Sequence, residues 1–405
     1  MNSTATDPAS STGTLPVGLL AAAAFLSAAG ARVIDPLLHV IADDFATSVP
    51  TVAVLITAFT LPYGLNQLFL GPIGDRFGKL RVLLGALAAY AVATGACAFA
   101  GDLPRLTVLR AFAGAASGGL IPVALAYIGD AVPYAQRQLT LSRFLTGAVL
   151  ANIVAGPIGG VFGEYLGWRG VFLLLSVLGA VVTLGLALRI RHLPDRRSTR
   201  ATFNLASFVW LFRQPTSRDL LLASLVDGAL LGGCFPFIAP FLREAFGLSY
   251  AVIGLVLACF GIGAWIYTSF ARRIIATLGE PGMITMGGLL MAGGLVLSIA
   301  TSFWQAVITA EIALGLGYMI LHGVLQARAT EMLPDARATA VSAFVAVLFL
   351  GQSLGALAVG TMIASLGYQN ALAIDAGLIL LFMLWLRGLI IRTEAPLKAP
   401  GQTSG

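Results

Sequence analysis

From residue 15 to residue 391 the chain alternates long apolar runs with short polar breaks, and each run is long enough to cross a bilayer, which takes about 20 residues. The runs predict helices over 15–41, 50–70, 80–100, 104–130, 139–163 and 168–188, then over 219–243, 250–271, 282–302, 304–330, 338–365 and 369–391. The expectation is an all-α integral membrane protein of twelve transmembrane helices in two pseudo-symmetric six-helix bundles. Composition agrees: with 58% hydrophobic and 10% charged residues, lipid is the solvent and a soluble globular chain is excluded. The domain reading follows: a polar, disordered cytoplasmic tail (1–14), a first bundle (15–188), a cytoplasmic central loop (189–218), a second bundle (219–391) and a second cytoplasmic tail (392–405). The first run lacks a basic flank and a small-residue cleavage site, so it reads as a span and not as a cleaved signal peptide.

Charge placement sets the expected topology. Of the 24 Lys and Arg residues, 19 fall in segments that face one side if both termini are cytoplasmic, while only Arg105, Arg169 and Arg243 fall in loops facing the other. Seven of the 19 crowd the central loop, where a short amphipathic piece from Phe203 to Phe212 should lie along the membrane surface. The net charge of +6 is scattered through short loops with no basic face, so it reports topology and gives no reason to expect nucleic acid as a partner. Cys97, Cys234 and Cys259 lie far apart in apolar runs, without the spacing of a metal or redox site, and no cofactor is expected.

The two halves are duplicates. Pro36 pairs with Pro236, Ser48 with Ser249, Gly78 with Gly279, Pro133 with Pro334 and Gly167 with Gly367, at offsets of 200 or 201 throughout.

Between the second and third runs lies the charged, glycine-rich stretch Gly71-Pro72-Ile73-Gly74-Asp75-Arg76-Phe77-Gly78-Lys79-Leu80-Arg81. It should bend tightly at its glycines and keep Arg76, Lys79 and Arg81 out of hydrocarbon. Its pattern, Gly-x-x-x-Asp-Arg-x-Gly-Lys-x-Arg, resembles the signature loop between helices 2 and 3 of the major facilitator superfamily of secondary transporters. The resemblance implies parallel six-helix repeats with a substrate path between them. It also implies a cytoplasmic gate at Gly71, Asp75, Arg76, Gly78, Lys79, Arg81 and Asp130, with Asp75 reaching a partner near Ala338; the alternative is a local ion pair with Arg76, or with Asp130 and Arg137 nearby. The second copy of the loop has Ala276 where Asp75 stands.

Further motifs resemble the drug:proton antiporter branch. Arg110-Ala111-Phe112-Ala113-Gly114 resembles a buried-arginine signature whose arginine faces the central cavity in related antiporters; the other reading is an Arg that anchors the end of its helix. Gly156-Pro157-Ile158-Gly159-Gly160 resembles the antiporter motif, a place for a kink and close packing, although Asn152 and Arg143 occupy two upstream positions where the longer motif has glycines. The stretch Gly317 to Gln326 resembles helix 10 of the same branch.

Four ionisable residues are candidates for proton coupling: Asp35, Asp227, Arg110 and Glu311. Arg32 and Asp35 stand at i,i+3 and can pair, while Asp35 and Arg110 come out at similar depth, so either a switching carboxylate or a permanent salt bridge fits. Asp227 lies eight residues beyond Asp219 with no cation within one turn, which fits a proton carrier, a ligand for a cationic substrate, or a neutral carboxyl bonded to a neighbouring helix. Glu311 sits 201 residues after Arg110 with the opposite charge, which suggests two cavity-facing groups across the pseudo-symmetry axis. Candidates for the substrate cavity are Arg32, Asn66, Gln67, His322, Gln326 and Gln352, of which His322 and Gln326 share a helical face; packing and interhelical hydrogen bonds are the alternative for each. Asp375 reads as peripheral.

The expectation is thus an inner (plasma) membrane transporter that exports a small organic solute or drug against inward proton flow, working as a monomer with a small molecule, protons and the bilayer as its partners. An importer of a small metabolite on the same fold is the first alternative and a non-transporting membrane sensor the second. No enzyme signature such as HExxH, a P-loop or a nucleophile elbow occurs.

Overall fold

The computed structural model describes residues 15–190, 205–333 and 337–394, so expectations for 1–14, 191–204, Pro334 and 395–405 lie outside the described residues. Among the described residues there is no strand, and nine helices are long and apolar enough to span a membrane. Three of them, Gln136–Arg189, Tyr250–Ala300 and Thr339–Arg392, run to 54, 51 and 54 residues, about 80 Å if straight and far beyond one bilayer. Each is folded back on itself at a single glycine: Gly167 (φ 66°, ψ 171°), Gly279 (φ 60°, ψ 174°) and Gly367 (φ 80°, ψ 169°). That backbone region is open to glycine and closed to residues with a Cβ. Broken there, the described residues form twelve spans.

In chain order they are α1 (Val17–Asp44), α2 (Val49–Leu70), α3 (Lys79–Cys97), α4 (Leu103–Ala131), α5 (136–166) and α6 (168–189), then α7 (Pro215–Phe246), α8 (250–278), α9 (280–300), α10 (Trp304–Ala329), α11 (339–366) and α12 (368–392). Between α6 and α7 a short helix, Leu205–Arg213, buries Leu211 and leaves Trp210 and Phe212 exposed, as an amphipathic surface piece should. Several boundaries differ from expectation, the largest shift being the end of α8, which runs to 278 and not 271. α7 begins at Pro215 and not at 219, because Pro215 fits the first helical position, where its missing N–H costs nothing.

The duplication is visible in local geometry. Pro36 and Pro236 lie in matching 3-10 turns, Asp35–Leu37 and Phe235–Phe237. Ser48 and Ser249 are N-caps whose hydroxyls accept from the N–H three residues on, each at 3.4 Å. Gly78 and Gly279 both turn the chain at positive φ, as do Gly167 and Gly367. A Cβ on Gly114 would sit 2.1 Å from the Phe59 carbonyl oxygen, and one on Gly315 would sit 1.9 Å from that of Phe260, so the same helix crossing recurs 201 residues later.

The turns divide between two ends of the molecule, one holding Gly78 and Gly279, the other Gly167, Gly247 and Gly367. At the Gly167 end the halves are sealed together. Gly160 and Gly254 bring α5 against α8 so closely that a Cβ on either would lie 2.1 or 2.4 Å from a carbonyl oxygen of the other helix. Ala251 N–H donates to Glu164 Oε2 at 2.8 Å, Thr57 Oγ1 donates to the Ser353 carbonyl at 3.0 Å, and Thr60 and Ser353 hydroxyls meet at 2.8 Å.

Candidate functional site

Below that seal a cavity of about 330 Å³ lies between the halves, walled by α1, α2, α4 and α5 on one side and by α7, α8, α10 and α11 on the other. Its polar lining includes Arg32, Asn152, Tyr318, His322 and Gln352, and no Asp or Glu stands among the described lining residues. Val149 of α5 and Thr268 of α8 also line a wider recess of about 960 Å³ between those two helices, next to Arg137, Ser142 and Trp265. Residues 137–149 precede the Gly156–Gly160 contact along α5, so the cavity widens toward the Gly78 end. Another hollow, of about 350 Å³ beside Trp210, Arg328 and Ile390, shares no lining residue with the cavity.

Asp227 is twelve residues into α7, about 18 Å along it, and fully buried. The α-helix gives way there to a π-helical segment, Gly228–Gly232, whose Gly228 packs on the Leu348 carbonyl of α11. Along α7 the carboxylate has no cation, as expected, but it is not alone. His322 of α10 places Nδ1 2.7 Å from Asp227 Oδ2, while Oδ1 has no hydrogen-bond partner among the described residues. The imidazole stacks on Tyr318 (centroids 4.9 Å apart, 15° between planes) and tilts against Phe344 at 5.7 Å, with its edge on the cavity.

Across the cavity Arg32 lies over the Phe235 ring at 4.6 Å and reaches Asp35 Oδ2 only loosely, at 3.9 Å; its Nη1 is a buried atom with no hydrogen bond. Asp35 lines a small recess beside the cavity that shares Arg32, Asn152 and Phe260 with it. Arg32 is therefore the cation nearest Asp35, and no ion pair joins Asp35 to Arg110.

Arg110 and Glu311 do not line the cavity. Arg110 is 1% exposed, donates from Nη1 to the Gly30 carbonyl at 3.0 Å and stacks on Phe59 at 4.2 Å, so it packs inside the first bundle and neither faces the cavity nor anchors a helix end. Glu311 is wholly buried, with both carboxyl oxygens lacking a described hydrogen-bond partner. Asn66 donates to the Ala115 carbonyl at 2.6 Å, Gln67 is buried, and Gln326 is exposed outside the cavity lining; Gln352 and His322 do line it. Asp375 is not peripheral: it is 2% exposed within the second bundle.

The charged loop is mostly helix. The α2 helix continues to Phe77 and Gly78 alone (φ 99°, ψ 126°) makes the bend, so Gly71 and Gly74 end nothing. The side chain of Asp75, and its proposed partner region at Ala338, lie outside the description. Lys79 is paired with Asp130, Arg76 lies over Phe77 at 5.3 Å, and Arg137 donates to the Val132 carbonyl at 3.3 Å. In the second half Arg328 and Glu280 make the corresponding tie at 2.6 Å, with Glu280 standing 201 residues after Lys79 in opposite charge. Gly156, Pro157 and Gly160 lie where α5 meets α8, and a π-helical segment, Ile158–Phe162, follows the proline. No group of three His, Cys, Asp or Glu side chains among the described residues is placed to hold a metal.

Sequence reasoning missed the Asp227–His322 contact and the aromatic walls. A signal for the first existed in the duplication. Ser27, 200 residues before Asp227, bonds Ser117 of α4 (Oγ to Oγ 3.2 Å), so the α1–α4 crossing carries a polar pair where the α7–α10 crossing carries the dyad.

The family model described as Major Facilitator Superfamily matches residues 20–226 and 220–405. A chloramphenicol resistance protein of Streptomyces lividans is 27% identical over 393 residues, 96% of each chain. A probable sugar efflux transporter of Helicobacter pylori (strain P12) is 26% identical over 358 residues, 88% of this chain and 90% of that one. Among solved structures, a D-xylose–proton symporter superposes with a TM-score of 0.75 at 15% identity, covering 91% of this chain and 96% of the other.

Proposed function

Since the chain belongs to the Major Facilitator Superfamily, a multi-pass membrane transporter and not an enzyme, we propose that it exports a small organic molecule across the inner membrane in exchange for protons, by alternating access. The observation that carries the proposal is the Asp227–His322 pair: a titratable dyad buried on its carboxylate side and open to the central cavity on its imidazole side. Such a pair takes a proton from whichever side the cavity faces. The names of the relatives, drug resistance and sugar efflux, favour outward transport. With both termini in the cytoplasm, as the distribution of Lys and Arg favours, the sealed Gly167 end is external and the cavity faces inward. Gly71 to Arg81, with Asp75, closes the cytoplasmic side in the opposite state, and one chain is the working unit. Asp35, held loosely by Arg32 beside the cavity, is the second candidate for carrying a proton.

Inside-out vesicles energised to acidify the lumen test this, with a pH-sensitive dye following proton release as compounds are added. Substrates should release lumenal protons with wild type and at least about tenfold more slowly with Asp227→Asn, the scale of losing one proton-transfer group. Equal responses would move the coupling to Asp35. The alternative is a proton-coupled importer, favoured by the fold shared with the D-xylose–proton symporter; it calls for solute-dependent alkalinisation outside right-side-out vesicles.

A further inference from the structure

The cavity wall specifies a substrate chemistry, on the premise of the export reading above. Nδ1 of His322 and Oδ2 of Asp227, at 2.7 Å, need a proton between them. Nε2 has no described hydrogen bond and is not a buried atom, so it opens on the cavity that the ring lines. With one proton in the dyad, that proton sits in the Nδ1–Oδ2 contact and Nε2 is a bare acceptor. A second proton lands on Nε2 and makes it a donor, the imidazolium charge being balanced by the Asp227 carboxylate. We propose that this acceptor-to-donor conversion of Nε2 is the coupling step, and that the substrate is an uncharged, ring-bearing molecule that donates an O–H or N–H to His322 Nε2.

The charges of the wall exclude the other classes. Arg32 faces the cavity while the Asp227 carboxylate is buried behind the imidazole, so a quaternary ammonium meets the guanidinium first and has no proton to give Nε2. An anion would bind best when the dyad holds its second proton, hence together with the proton, which is the coupling of an importer. Only a donor competes with the proton for Nε2, as exchange requires. Arg32, which lines the cavity, suits an acceptor on the same molecule. Rings have partners from both halves, Tyr63 against Phe349 with centroids 4.5 Å apart and Phe260 near Tyr318 at 6.1 Å. In each cycle a proton arriving from outside takes Nε2 and releases the substrate; the next substrate, entering from the cytoplasm, is bound as that proton leaves inward. One proton balances one molecule.

The charged and titratable groups around the dyad are Tyr318 on α10, Tyr267 on α8 beside Gly323, and Arg32 with Asp35 across the cavity on α1; α11 contributes Phe344 and Gln352, which do not titrate. The other buried carboxyl groups nearby are Asp35 on α1 and Glu311 on α10, the second interacting with Arg32 and Asp35.

The test is calorimetric titration of the full chain in lipid nanodiscs, without any gradient, at about pH 5 and about pH 8, where histidine changes state. The probes are 1-(2-naphthyl)ethane-1,2-diol, its dimethyl ether and (2-naphthylmethyl)trimethylammonium. The diol should bind at least about tenfold tighter at the higher pH, one hydrogen bond's worth, with ether and ammonium weak at both. His322→Gln, whose amide donates or accepts at any pH, should bind the diol with the pH dependence gone, and Asp35→Asn should keep it. Where His322→Gln proves unstable, Asp227→Asn serves, and must move the midpoint of the diol's pH profile. Diol binding that ignores pH, a pH dependence that survives in His322→Gln, an unmoved midpoint in Asp227→Asn, an ammonium bound as tightly as the diol, or no binding of any probe overturns the proposal. A diol that binds with the expected profile yet releases no lumenal proton in vesicles sinks the export reading and leaves the site standing.

Discussion

Ala46 is held at φ 48°, the only non-glycine at positive φ among the described residues, and 201 positions later the same turn between α7 and α8 carries Gly247 at φ 64°. A Cβ in that region costs about 1 kcal/mol. Ala46→Gly should therefore raise stability by up to about 1 kcal/mol and Gly247→Ala lower it by about as much, read as opposite shifts in melting temperature of the purified protein. At this scale the sequence reports depth well and direction poorly. Asp227 stands out because it is far from a helix end and no cation shares its turn, and the structure buries it behind His322, which lines the cavity. Arg110 and Glu311 stand out as clearly, yet neither lines the cavity. In a helix surrounded by lipid and by other apolar helices, every face is hydrophobic, so the 3.6-residue pattern that marks the inner face of a soluble helix is erased. His322 was a cavity candidate from the sequence and does line the cavity, but its pairing with Asp227 became legible only with coordinates, because the partner is 95 residues away.

Among the elements, helix count and position were readable and the turns were not. Breaks such as 163–168 and 365–369 were expected to be loops, and each contracts to one glycine, since a Gly-only conformation reverses a helix without spending residues. The stretch 71–81 likewise reads as a bend from its glycines but is helical to Phe77, its charges being carried on helix ends. The α5–α8 crossing was half legible: glycines in α5 announced close packing, while the partner, Gly254, carried no motif. Because a Cβ on Gly160 would fall 2.1 Å from the Tyr250 oxygen, Gly160→Leu should push the helices apart at the sealed end. The expected cost is about 1–3 kcal/mol, seen as a lower melting temperature, and cysteine labels placed on either side of the crossing should become reactive to thiol reagents added from the external side. Unchanged labelling would show that the contact does not form the seal.

For the molecule as a whole, the near-constant offset of 200 or 201 was the most informative thing in the sequence, and matching caps, 3-10 turns and helix crossings bear out the duplication. What duplication could not convey is where the copies diverge, and that is where the cavity acquires its chemistry: Ser27 against Asp227, Ile121 near the position of His322, Asp35 against Phe235. The halves meet at one end and part at the other, so a symmetric chain encloses an asymmetric cavity. Under the proposed exchange of one uncharged molecule for one proton, each cycle moves one positive charge inward. Export is then electrogenic, and a membrane potential of about 100 mV contributes about 2.3 kcal/mol to each turnover with no pH difference at all. Inside-out vesicles at equal pH, given a lumen-positive potassium diffusion potential, should accumulate the naphthyl diol, and collapsing that potential should stop them. An exchanger of monovalent cations for protons would be electrically silent in the same experiment. The proposed exchange thus lets the membrane's voltage, and not only its acidity, drive transport.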